Sequence, residues 1–117
     1  MKRPSITLAA VIALFAVSAN AQNCDRPSMI NVPNGATSSL EQMLDAQSTV
    51  RDFLSSMETY LDCMNEQIED SSGDDEASVD ANTALVDDYN SGVTEMETIA
   101  AQFNEERIAY QEANPSN

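Results

Sequence analysis

The sequence has no histidine, and its five basic residues face twenty acidic ones. Without histidine the chain lacks the side chain that most often serves as general base or metal ligand near neutral pH. Di-iron carboxylate bundles pair glutamates with a Glu-x-x-His motif, and no such motif can be formed here. There is no GxSxG, so the serines have no elbow and no candidate base. A net charge of −15 repels nucleic acid and anionic membranes, which excludes both as partners. The same charge favours cations and basic partners. No apolar run approaches the roughly 20 residues a membrane-spanning helix needs. With 42% hydrophobic residues, the chain is still not of the composition that stays disordered.

The longest apolar run, Ile6 to Val17, is interrupted only by Thr7 and follows Lys2 and Arg3. Ala19-Asn20-Ala21 closes it with small residues. This is the pattern of a secretory signal peptide over residues 1–21, cut between Ala21 and Gln22. Asn23 is too large to precede a lipid-modified Cys24, so a lipoprotein anchor is set aside. Cleavage would leave Arg26, Arg51 and Arg107 against the twenty acids, a charge of −17, with no lysine. No membrane insertion is expected after cleavage.

Residues 22–37 lack helical period. Pro27, Pro33 and Asn34-Gly35 make this leader extended, with a turn at its end. Its apolar Met29, Ile30 and Val32 imply that it lies along something. Ser38-Ser39-Leu40-Glu41 then reads as a capping box, Ser38 with Glu41.

Leu40, Met43, Gln47, Val50, Leu54, Met57, Leu61, Met64 and Ile68 follow at steps of three and four. Such a seam predicts a long amphipathic helix over 38–69. Ala46, Phe53 and Tyr60 widen its stripe. A turn at 70–75, centred on Gly73, precedes a second helix over 76–113. Its seam is Asn82, Leu85, Tyr89, Gly92, Met96, Ile99, Phe103 and Tyr110, flanked by Val79, Val86, Val93 and Ala100. Pro115 stops it, and 114–117 is a tail.

Folding the chain at Gly73 lays one seam on the other. It pairs Met64 with Asn82, Leu61 with Leu85, Met57 with Tyr89, Leu54 with Gly92, Val50 with Met96 and Met43 with Phe103. The fold class expected is all-α, an antiparallel two-helix hairpin. Ser78, Asn82 and Glu106 are poor core residues, so both ends should be looser than the middle.

Cys24 and Cys63 are an even count in a chain with an export signal, which reads as a disulfide. Ser38 to Cys63 spans about 38 Å of helix. Cys24 to Ser38 spans about 43 Å in polyproline conformation. The leader is thus long enough to run back along helix one as a strap. The alternative, a redox or metal-binding thiol pair, lacks a CxxC.

Together, Cys24-x-x-Pro27, Val32-Pro33-Asn34-Gly35, Met43, Ala46-Gln47, Tyr60-Leu61-x-Cys63, Met96 and Phe103-Asn104 resemble a group of short exported proteins of Gram-negative bacteria. Those have a signal peptide, a Cys/Pro leader and two helices. The resemblance implies a bacterial periplasmic or secreted hairpin protein. It assigns no activity and no functional residue.

The remaining candidates for chemistry are carboxylates and methionines. Glu58/Asp62 and Glu66/Asp70 lie on polar faces, where nothing would tune them for acid–base work. Met43, Met57, Met64 and Met96 could form a soft copper(I) site, but all four sit on the seam and read as core. Asp70, Asp74, Asp75, Glu76 and Asp80 gather at the bend as candidates for a weak divalent-cation site. They fail the calcium-loop pattern, because Asp75 and Ala81 stand where glycine and glutamate are required. No catalytic residue and no cofactor are expected. Two functions remain. One is a structural or interaction module with an unidentified protein partner or a homodimer. The other is a periplasmic binder of divalent cations or of basic, unfolded clients.

Overall fold

The computed structural model describes residues 24–115. Two helices, α1 (Leu40–Asp70) and α2 (Glu76–Ala113), pack against each other as an antiparallel hairpin. A 3-10 turn at Gly35–Thr37 ends the leader. The described residues contain no strand. The predicted cleavage site, Ala21 and Gln22, lies outside the described residues.

The start of α1 lies one residue later than the sequence pattern suggested. Ser39 is the cap: its hydroxyl accepts from the Gln42 N–H at 3.1 Å, and the Gln42 carboxamide accepts from the Ser39 N–H at 2.8 Å. Ser38 is occupied elsewhere. Its hydroxyl donates to the Asn34 carbonyl at 2.6 Å and its N–H to the Gly35 carbonyl, which closes the 3-10 turn. Ser38 and Glu41 therefore form no box.

The core is built from Val50, Phe53, Met57, Tyr60, Leu61 and Met64 of α1 with Ile99 of α2. Met57 is fully buried, and Ile99 is 1% exposed. Leu54, Leu85, Tyr89, Val93, Met96 and Phe103 pack half-buried around them. The asymmetry is pronounced. Eight residues of α1 are buried, but only Gly92 and Ile99 of α2. The reason is that α1 is covered on two sides, by α2 and by the leader. Cys24, Ile30 and Val32 of the leader pack on the core cluster. Met29, expected beside them, is 55% exposed.

The register also differs from the expected one, by about a turn. Gly92 faces Leu61, Met57 and Tyr60 rather than Leu54. Asn82 reaches the Ile68 carbonyl, at 3.1 Å, rather than Met64. At the end of α1 the Ser71 N–H donates to the Gln67 carbonyl and the Ser72 N–H to the Glu69 carbonyl. The five residues that join the helices, 71–75, centre on Gly73, where the bend was expected. The first turn of α2 overshoots the end of α1, which leaves Val79 half exposed.

The glycines act through space. None has positive φ. At Gly73 a Cβ would lie 2.6 Å from the Ser78 hydroxyl oxygen. At Gly92 it would press on Leu61 at 3.0 Å, so glycine there admits the large side chains of α1.

Candidate functional site

The hairpin has two flanks, and the leader covers one of them. Cys24 and Cys63 are bonded, with their Cα atoms 5.6 Å apart. Cys63 follows Tyr60 by three residues on α1, so the bond fixes the strap over the Phe53/Tyr60 side. The strap does not lie on α1 alone, as the sequence had suggested. The Arg26 guanidinium pairs with the Glu95 carboxylate of α2 at 2.7 Å and donates to the Ser91 hydroxyl at 3.0 Å. It also sits 5.8 Å from the centre of the Tyr60 ring, on α1. One side chain thereby bridges strap, α1 and α2. The hydrogen bond with Glu95 is the main cause that raises the Arg26 pKa above its ordinary value, with the charge of the same carboxylate adding to it against a small desolvation.

The strap's far end is seated on α2. The Gly35 N–H donates to the Glu106 carboxylate at 2.6 Å. A Cβ built on Gly35 would collide with the Glu106 carbonyl, and would lie 2.9 Å from the Tyr110 nitrogen. Only glycine lets the two backbones approach so closely. Glu106 is thus a polar anchor at the open end of the hairpin. Asn82 does the same near the bend, bonding the Ile68 carbonyl and the Ser71 hydroxyl.

The opposite flank has no such cover. On α1 it carries Leu40, 58% exposed, and Leu44, 55% exposed. On α2 it carries Val79, Val86 and, towards the open end, Ile108, 45% exposed. A shallow groove of about 190 Å3 opens here, lined by Leu40, Met43, Leu44, Phe103, Arg107 and Tyr110 among others. Leu40, read as a seam residue, lies outside the core, on this rim at the first residue of α1. Arg51 and Arg107 are exposed on the same flank. Arg107 donates to Asn104 at 2.9 Å. The Arg26–Glu95 contact is the one ion pair among the described residues.

The structure does not bring the acidic candidates at the bend together. Asp70 ends α1, Asp75 caps α2 and Glu76 begins it. Asp70 and Asp74 line different surface grooves around Gly73. The Asp75 carboxylate accepts from the Ser78 hydroxyl, which is the main cause holding its pKa below the ordinary value. Among the described residues no three His, Cys, Asp or Glu side chains are grouped to hold a metal ion. Glu58, Asp62, Glu66 and Asp70 are all exposed. No helix of the described residues is long and apolar enough to cross a membrane.

The strap contacts of Arg26, Gly35, Ser91, Glu95 and Glu106 carried no periodic signal. Glu106 alone offered a hint, as a charge standing on the expected seam. Comparison of the chain with family models, with curated proteins and with solved structures finds no match.

Proposed function

We propose that this chain is an exported, non-enzymatic, acidic helical hairpin that works as a structural or protein-interaction module through its bare flank. The observation that carries this reading is the contrast of the flanks. A disulfide, an ion pair and a buried glycine contact hold cover over one. The other exposes Leu40, Leu44 and Ile108 beside Arg51 and Arg107. Apolar side chains grouped with arginine are the composition of contact surfaces, where arginine is enriched and other charges are depleted. The disulfide supports an oxidising compartment, the periplasm or the outside of a bacterial cell. The resemblance to short exported hairpin proteins of Gram-negative bacteria points the same way.

The test is capture from envelope extract on the oxidised chain, with Leu44→Glu as control. Specific retention lost in the variant is the expected result. Retention unchanged in the variant, or turnover of a substrate that a single carboxylate substitution abolishes, would overturn the reading. Retention of basic, unfolded proteins irrespective of Leu44, or thermal stabilisation by millimolar calcium, would favour the charge-driven binder instead.

A further inference from the structure

Resting on that reading, we propose that the occupant of the bare flank is a second copy of this chain, and that two hairpins join there into a four-helix bundle. The argument is one of self-complementarity. Leu40, Leu44, Gln47, Arg51 and Leu54 follow at steps of three and four on α1 and share one face. Val93, Glu97, Ala100, Asn104, Ile108 and Gln111 do the same on α2. Both faces look out of the flank the strap leaves bare.

The observed register sets which of them stand at the same height. Gln47 and Met43 line the open-end groove with Phe103, Arg107 and Tyr110. On that register Leu44 is within about half a turn of Ile108, and Arg51 within about half a turn of Glu97.

A two-fold axis parallel to the helices lays α1 of one copy over α2 of the other at equal height and in opposite directions. Leu40 and Leu44 then cover the partner's Ile108, and Arg51 meets the partner's Glu97. Each contact occurs twice. All of these side chains are exposed in the single chain, and Arg51 lacks an ion pair there. Each helix becomes antiparallel to both neighbours, the arrangement four-helix bundles favour. The remaining surface is acidic and repels its copy, so association strengthens with added salt.

Sedimentation equilibrium of the oxidised full chain, at low salt and at about 0.5 M sodium chloride, tests this, the higher salt screening the net charge. A dimer that tightens with salt is expected. Arg51→Glu and Glu97→Arg should each weaken it about tenfold, and the double variant should recover most of that loss. Leu44→Glu should give a monomer. Circular dichroism should not change in any of them, nor should the melting temperature read at high dilution, where the chain is monomeric, because the altered residues are exposed. A monomer at every concentration and salt would overturn the proposal, as would a dimer indifferent to Leu44→Glu. A double variant no tighter than the singles would overturn it too. A monomer that still captures another protein through Leu44 removes the second copy but leaves the interaction module. A monomer with no Leu44-dependent capture removes both.

Discussion

The two flanks of the hairpin come from the same two helices, yet they have opposite chemistry. Under the strap, Phe53 and Tyr60 are buried, and polar groups are paired across three segments: Arg26 with Glu95, Gly35 with Glu106. On the other side, leucines and isoleucine stand in solvent next to arginines without carboxylate partners. A two-helix hairpin of this size buries proportionally little surface. The strap supplies a third layer to one side of that thin core. The difference teaches where stability and where association reside: substitutions under the strap should unfold the chain, and those on the bare flank should not.

The largest effect expected is from removing the bond that holds the strap. Replacing Cys24 and Cys63 by serine should cost about 4 kcal/mol, since the bond closes a 39-residue separation. Urea denaturation of the oxidised protein and the variant reads this directly. Equal midpoints would mean that the strap is not part of the folded core.

Next comes the seat of the strap. Gly35→Val should cost about 1–3 kcal/mol, because a side chain there meets the α2 backbone and cannot be relieved by rotamer change. In a double-mutant cycle with Glu106→Ala the losses should be less than additive, since either change releases the same contact. Full additivity would separate the two residues.

On the bare flank the expectation reverses. Leu44→Glu and Ile108→Glu should change the stability of the single chain by no more than about 0.5 kcal/mol, read by thermal melting at high dilution. A loss of several degrees would place these side chains in the core and erase the contrast.

The smallest effect is at the bend. The Ser78 hydroxyl lowers the folded pKa of Asp75 below its ordinary value of 3.8. A depressed carboxylate contributes stability above its unfolded pKa and loses it as pH falls through the folded value. Ser78→Ala should therefore remove a small part of the stability near neutral pH and leave the difference vanishing in strong acid. A melting series across that range checks the sign.

The helices and their seam were legible because α1 repeats an apolar residue every three or four positions from Leu40 to Ile68, and tertiary packing follows that period. The disulfide was legible from the even count of cysteines, the expected compartment and the reach of the leader. The register was not. Two seams of similar period can slide past each other by a turn and still pack, and their relative height shows only in long-range contacts such as Asn82 with the Ile68 carbonyl. Two adjacent serines, either able to cap, hid the true cap at Ser39. The strap's path along α2 was hidden because its anchors are single long-range contacts, Arg26 to Glu95 and Gly35 to Glu106. Such pairs leave no pattern along the chain. The extent of the bare flank was not legible, since Leu40 counted as a seam residue yet stands 58% exposed on the rim.

The contrast of flanks is most directly tested by placing a photo-crosslinking residue at Leu44 and, separately, at Glu66 on the polar back of α1, in the full-length chain expressed in bacterial cells. The account predicts strong, discrete crosslinked products from position 44 and none from position 66. Products of equal strength from both positions, or from position 66 alone, would contradict it.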